Sequence, residues 1–236
     1  MENISKTSVI IVAAGKGKRM GRDYNKQYIQ LEAQPIVAHT IKVFEEMDCI
    51  NEIILVVGAG EVEFLKKSII EVYGFQKVSA IVEGGLERRD SVYNGLKAVS
   101  QDCSIVLIHD GARPLITKDI IEESIIVAKE SGACIAAVPV KDTIKISNDN
   151  MEVIHTPKRD NLWSVQTPQT FQYDLILEAY NHQQPKDSTA TDDAMILEAL
   201  GHTVKIIHGS YNNIKITTPE DLIVAEEILK TRREGR

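Results

Sequence analysis

The sequence predicts an α/β sandwich with a mainly parallel central sheet and a protruding β-arm. Three observations predict it: short apolar runs recur without polar alternation, helical patterns of apolar residues separate them, and a glycine-rich basic segment follows the first run directly. Unalternated runs are strands buried on both faces, as in a parallel sheet covered by helices on either side. Their alternation with helices builds βα units into layers around one core.

Taken in order, the strand runs cover 9–13, 53–57, 78–82, 105–108 and 134–138. Between them, Ile36, Val37, Thr40, Ile41 and Phe44 fall on one helical face, as do Val62, Leu65, Ile69 and Val72, and then Ile121, Ile125 and Ala128. Toward the carboxyl end a helix over 192–200, a strand over 204–207 and a helix over 222–229 continue the rhythm. Thr218-Pro219-Glu220-Asp221 has the spacing of a capping box, with proline suited to a first helical turn. No linker, repeat or low-complexity tract interrupts the chain, so residues 1–236 are expected to form one domain. Residues 142–168 break the rhythm. Ile144-Lys145-Ile146, the turn Asn148-Asp149-Asn150 and Val153-Ile154-His155 read as a hairpin too polar for the core. A lone two-stranded hairpin is marginal in water, which makes this one an arm expected to pack on a second subunit.

Composition narrows the function. Hydrophobic residues are 43% and charged residues 26% of the chain, the profile of a globular protein, and the longest apolar run, 9–14, is far short of the roughly 20 residues of a membrane span. The start Met1-Glu2-Asn3 lacks the basic region of a signal peptide, and Cys49, Cys103 and Cys134 form no Cys-x-x-Cys pair, so a cytoplasmic protein without disulfides or zinc is expected. Net charge is −7, which disfavours a nucleic-acid partner. Between Gly15 and Lys26, however, five cations face Asp23 alone, a local charge of +4 that suits a compact anion such as a nucleotide phosphate.

That basic stretch begins Ala13-Ala14-Gly15-Lys16-Gly17-Lys18-Arg19-Met20, directly after the first strand. Glycines let the backbone turn its N–H groups onto a ligand while the cations neutralise phosphate. Met20 stands where the dinucleotide fingerprint needs glycine, and no register gives a P-loop. Taken alone, the segment is equally readable as a glycine turn with a solvated basic face. Two more motifs follow predicted strands: Gly84-Gly85-Leu86-Glu87-Arg88-Arg89-Asp90-Ser91, placed to read a base edge, and His109-Asp110-Gly111-Ala112-Arg113-Pro114. Their plain readings are a turn with Arg88 solvated and a capped turn with a local ion pair. Ligands of open α/β sheets bind at the carboxyl ends of strands, where such loops converge.

These motifs, with Lys26-Gln27, Val138-Pro139-Val140-Lys141-Asp142-Thr143, Leu162-Trp163-x-x-Gln166-Thr167-Pro168-Gln169, Thr191-Asp192-Asp193-Ala194 and Lys215-Ile216-Thr217, resemble in order the 2-C-methyl-D-erythritol 4-phosphate cytidylyltransferase family of the non-mevalonate isoprenoid pathway. Asn25 and Gly111 depart from its usual proline and alanine without removing a functional side chain. The resemblance implies a Rossmann-like nucleotidyltransferase fold, a homodimer exchanging its β-arms, and Mg²⁺-dependent joining of CTP to the polyol phosphate with release of pyrophosphate.

By the same resemblance Arg19 and Lys26 stabilise the transition state, and Ala13, Ala14, Gly15, Lys16 and Gly17 hold the triphosphate. Gly84, Gly85 and Ser91 recognise cytosine, while Asp110 faces the ribose or the metal. Arg113, Thr167, Thr191 and Lys215 surround the sugar phosphate, with Thr143 and Arg159 reaching its phosphate from the partner's arm and Arg159 and Lys215 counted as catalytic. As plain alternatives, Thr189 and Thr191 cap a helix, Lys215 is a surface residue and Trp163 is packing. Two rival functions share the fold: a sister cytidylyltransferase acting on ribitol 5-phosphate, and a non-catalytic nucleotide sensor.

Overall fold

In the computed structural model, which describes residues 6–15, 26–182 and 190–235, the first strand β1 (Lys6–Val12) lies inside a seven-stranded sheet. Its side chains alternate: Val9 and Ile11 enter one core cluster and Ile10 another, all with no exposed surface. After a short hairpin of β2 (Gln30–Leu31) and β3 (Gln34–Pro35) comes helix α1 (Ile36–Glu45). Then follow β4 (Glu52–Val57), a helical stretch of α2 (Val62–Leu65) and α3 (Glu71–Tyr73) joined through a π turn over Lys66–Ile70, and β5 (Val78–Glu83). Helix α4 (Arg88–Ala98), β6 (Cys103–Asp110), α5 (Lys118–Ser131) and β7 (Ala133–Pro139) complete the amino-terminal half.

The remaining elements are the small strands β8 (Ile146–Ser147) and β9 (Val153–His155), then β10 (Trp163–Gln172), α6 (Tyr173–His182), α7 (Ala194–Ala199), β11 (Lys205–His208) and α8 (Pro219–Glu234). The sheet order is β11-β7-β10-β6-β1-β4-β5, with β10 antiparallel to both neighbours and the other pairings parallel. The chain runs outward from β1 through β4 to β5 and resumes at β6 on the opposite side of β1. That reversal opens a crevice at the carboxyl ends of β1 and β6.

One face of the sheet is covered by α1, the 62–73 stretch and α5, through Ile41, Phe44, Leu65, Ile121 and Ile125. The other is covered by α4, α6 and α7, through Val92, Leu96, Ile176 and Ile196. Burying each such side chain is worth about 1.5–3 kcal/mol. Close approach of α4 requires Gly95, because a Cβ there would stand 2.6 Å from Ile10 Cγ2 and 3.0 Å from Val56 Cγ2. Helix α8 packs on a third cluster with Leu31, Ile36, Leu115 and Ile216. Its expected capping box forms: Thr218 Oγ1 accepts from the Asp221 N–H at 3.4 Å, and Asp221 Oδ2 accepts from the Thr218 N–H at 2.9 Å.

The arm needs correction at its carboxyl end. A hairpin is present, with Asn148 Oδ1 accepting from the N–H groups of Asn150 and Glu152, each at 3.0 Å, to shape the turn. Residues 163–168, however, belong to β10 inside the main sheet. Their polarity is compatible with burial because it is paired: Gln166 bonds Ser210, Thr167 bonds His109 and Asp110, and further along β10 Gln169 bonds Asp192 and Thr170 bonds Ser124.

Candidate active site

Because the parallel strands end at one edge, the loops that follow them meet there. Ala13 N–H donates to the Val56 carbonyl at 2.7 Å, Gly84 N–H to Val57 at 2.7 Å and Gly111 N–H to Val12 at 2.9 Å, tying the loops after β1, β5 and β6 to neighbouring strands. A Cβ on Gly84 would lie 2.6 Å from both Ala14 Cβ and Ser91 Oγ, so glycine lets the 84–91 turn touch the loop after β1. At Gly85 a Cβ would lie 2.2 Å from Asp90 Cβ. Ser91 Oγ donates to the Glu87 carbonyl at 3.0 Å and accepts from Gly85 N–H at 3.1 Å. Its proton is therefore spent, and one lone pair remains.

Asp110 ends β6 almost buried amid three cations. Lys215 Nζ lies 2.9 Å and Arg113 Nε 3.3 Å from Oδ2, with Arg88 Nε 3.9 Å from Oδ1. Burial alone would raise the carboxyl pKa, but Lys215, Arg88 and Arg113 hold it far below the usual range. Arg113 also donates to the Asn213 carbonyl at 2.8 Å, and Asn213 Nδ2 to the Thr167 carbonyl at 2.9 Å. Gln166 Nε2 donates to the Ser210 carbonyl at 2.8 Å, fixing the loop that carries Lys215.

Beneath Asp110, His109 is fully buried. Its Nε2 lies 3.1 Å from the Arg113 carbonyl, which can only accept, so that nitrogen carries the proton. Nδ1 then accepts from Thr167 Oγ1 at 3.1 Å, while the same hydroxyl oxygen accepts from Asp110 N–H at 3.1 Å. Burial is the main cause that lowers the imidazole pKa to about 4, so it is neutral at physiological pH.

Arg88, solvated in the plain alternative for its turn, is instead clamped on Asp193, Nη1 to Oδ1 at 2.9 Å and Nη2 to Oδ2 at 2.8 Å. Its roles and those of His109, Gln166 and Asp193 escaped the sequence reading, although all four lie within the motifs quoted there. Gln27 Nε2 donates to the carbonyls of Ala13 and Gly15, bracing the turn after β1.

The structure thus brings together Ala13, Ala14, Gly84, Gly85 and Ser91 on one side, and Asp110, Arg113, Thr167 and Lys215 on the other. Lys16, Gly17 and Arg19 lie outside the described residues, and of Lys26 only the backbone is described. Gly15 is exposed at the end of its loop. Thr143 and Arg159 are exposed on the arm, where Arg159 Nη1 donates to the Lys141 carbonyl at 3.1 Å. Thr191 is exposed, and its hydroxyl meets Met195 Sδ at 3.3 Å; the cap-like bond on α7 comes from Asp192 Oδ1, accepting Met195 N–H at 3.0 Å. Trp163 packs edge-on against His208, as expected of a packing residue.

Comparison with known proteins identifies the family of the chain. The IspD family, 2-C-methyl-D-erythritol 4-phosphate cytidylyltransferase, matches residues 7–231. A protein of that name from Alkaliphilus metalliredigens is 57% identical over 231 residues, covering 98% of this chain and 96% of its own length. One from Clostridioides difficile is 52% identical, with 96% of this chain and 94% of the relative covered. Among solved structures, the 4-diphosphocytidyl-2C-methyl-D-erythritol synthase of Anaerococcus prevotii superposes with a TM-score of 0.84 at 35% identity, covering 96% of each chain.

Proposed function

The chain belongs to the 2-C-methyl-D-erythritol 4-phosphate cytidylyltransferase family, and from that premise we propose how its residues carry the reaction. The protein joins CTP to 2-C-methyl-D-erythritol 4-phosphate. A sugar-phosphate oxygen bonds to the α-phosphorus of CTP, the α–β bridging bond breaks, and its electron pair leaves with pyrophosphate. The nucleophile is already an anion, so little general-base help is needed and charge is the obstacle. The observation that best supports the reading is the Asp110 cluster: Arg88, Arg113 and Lys215 against Asp110 and Asp193 leave one formal positive charge over, with Lys215 the most exposed of the three cations.

In this reading Arg113 and Lys215 receive the polyol phosphate, and Arg19, Lys26, Lys16 and the N–H groups of 14–17 neutralise the triphosphate as charge moves to the leaving group, the Ala13 N–H being held by the Val56 carbonyl. Thr167, its proton committed to His109, has a lone pair left to read a polyol hydroxyl and no proton for phosphate. Ser91, likewise able only to accept, suits the exocyclic amine of cytosine. Mg²⁺ commonly takes one or two carboxylates together with substrate phosphates. Asp110 fits that pattern: Lys215 and Arg113 approach Oδ2 and Arg88 Nε stands 3.9 Å from Oδ1, so it is the residue that would hold the ion, which would supply charge neutralisation when bound.

The arm supports a homodimer. Met151, Val153 and Ile154 are 85%, 60% and 62% exposed, apolar side chains on both sides of the hairpin that a partner wrapped around it would cover, bringing Thr143 and Arg159 to its active site. No helix among the described residues is long and apolar enough to cross a membrane. With Cys103 and Cys134 free and buried, we place the enzyme in the cytoplasm. A pyrophosphate-release assay tests the function: CTP with the methylerythritol phosphate should be turned over far faster than CTP with ribitol 5-phosphate. Preference for ribitol 5-phosphate, or no release with either, would overturn it.

A further inference from the structure

Arg88 and Asp193 are 105 residues apart and join the two halves of the site. Arg88 is the first residue of α4, directly after the Gly84–Gly85 turn, and Asp193 directly precedes α7, two residues after Thr191. The fork is bidentate, at 2.9 and 2.8 Å, and Arg88 Nε faces Asp110 at 3.9 Å. Asp193 also accepts from Tyr180 Oη at 2.7 Å, and Gln169 Oε1 accepts the N–H groups of Asp193 and Ala194 at 3.0 and 3.1 Å. Two planar groups held by parallel bonds have their separation and angle fixed together, which a flexible ammonium cannot do.

The two ends of this strut are anchored unequally. On the nucleotide side α4 is locked to the sheet by Val92, Leu96 and the close approach at Gly95. On the other side the six-residue α7 packs on the sheet through Ile196 and Leu197, but Thr191 stands exposed ahead of it, and the chain between is held at Asp193 and by Gln169. Loss of the strut should therefore move Thr191 and leave the base turn where it is. A buried ion pair is weak ground for a stabilising role, since apolar replacements often serve stability as well.

We propose that Arg88 and Asp193 are positioning residues that hold the Thr191 loop at a set distance from the 84–91 turn, and with it the polyol phosphate relative to the α-phosphate of CTP. The proposal rests on the substrate placement given above. Its test uses Arg88→Lys, which keeps the charge beside Asp110 but cannot span both Asp193 oxygens, and Asp193→Asn, which leaves Arg88 in place. For each, kcat and the KM for 2-C-methyl-D-erythritol 4-phosphate are measured by pyrophosphate release, the Kd for CTP with Mg²⁺ by calorimetry, and folding by circular dichroism. Misplacement of a reactant by about 1 Å can lower rates about 10²-fold, so kcat/KM for the polyol phosphate should fall about 10- to 100-fold while the CTP Kd stays within about threefold. Parental kcat/KM in folded Arg88→Lys, or a CTP Kd that weakens in step with it, overturns the proposal. Should Asp193→Asn fail to fold, Arg88→Lys decides alone. Absence of pyrophosphate release by the unaltered protein would instead overturn the functional reading itself.

Discussion

Replacing His109 with glutamine should remove a pH-dependent component of stability whose size follows from its burial. The imidazole has no exposed surface, and desolvation, aided by Arg113 and Lys215 against the Arg113 carbonyl and Asp110, lowers its pKa from 6.5 to about 4. Between those values the unfolded chain binds a proton that the folded chain refuses. The stability is thus intact above about pH 6.5 and is lost as pH falls toward 4. At about 1.4 kcal/mol per tenfold in proton affinity the full difference is about 3 kcal/mol, of which about 2 kcal/mol is gone by about pH 5.

Glutamine can still donate to the Arg113 carbonyl and does not titrate, but Thr167 loses its acceptor, at about 1–3 kcal/mol. Urea unfolding followed by ellipticity, at equal protein concentration and at about pH 7.5 and about pH 5, measures both effects. The variant should be less stable at the higher pH, and the gap should narrow by about 2 kcal/mol at the lower. Depressed carboxylates such as Asp110, and His39, are present in both proteins and cancel. A gap that stays constant between the two pH values would refute the assignment of a buried neutral imidazole.

Arg19→Ala and Lys26→Ala should each lower kcat about 10²- to 10³-fold with much smaller effects on CTP binding, read from single-turnover rates and CTP titration; near-parental turnover in a folded variant removes that residue from the mechanism. CTP should exceed UTP in kcat/KM at equal Mg²⁺, because Ser91 has a lone pair but no proton to offer and a mispaired polar group costs about 1–3 kcal/mol. Equal efficiencies would refute that base pocket. Gly95→Ala should destabilise the fold by about 1–3 kcal/mol in urea melts, since the added methyl meets Ile10 Cγ2 at 2.6 Å; unchanged stability would mean α4 can shift freely. Mixing Arg159→Ala with Arg19→Ala subunits, each inactive alone, should restore about half the parental activity per mixed dimer if arms cross between subunits. No recovery in demonstrated heterodimers would place Arg159 in its own subunit's site.

The parallel strands were legible because their signal is local. Residues 53–57 and 134–138 are apolar without interruption, and each is a buried strand in the sheet. The capping box of α8 was legible for the same reason, being set by four adjacent residues. Glycine motifs could be located, but their steric purpose could not. That a Cβ at Gly84 would collide with both Ala14 and Ser91 depends on residues distant from one another in the sequence. Arg88 shows the limit most clearly: an arginine in a polar turn looks solvated until a carboxylate 105 positions later is folded against it.

Strand β10 explains why these misses fall together. Its segment Gln166-Thr167-Pro168-Gln169-Thr170 has neither apolar continuity nor strict alternation, and hydropathy places it outside a core. Yet it runs through the sheet between β7 and β6, and three of its polar side chains reach different loops of the site, while Thr170 bonds Ser124 of α5. Gln166 holds Ser210 and Asn213 in the loop of Lys215, Thr167 joins His109 to the Asp110 backbone, and Gln169 receives the N–H groups ahead of α7. An apolar strand could have filled the same space, but it could not have aligned three loops whose cations and carboxylates come from distant parts of the chain. Polarity that disguises the strand in the sequence is, on this reading, the means by which the fold sets the geometry of phosphate transfer.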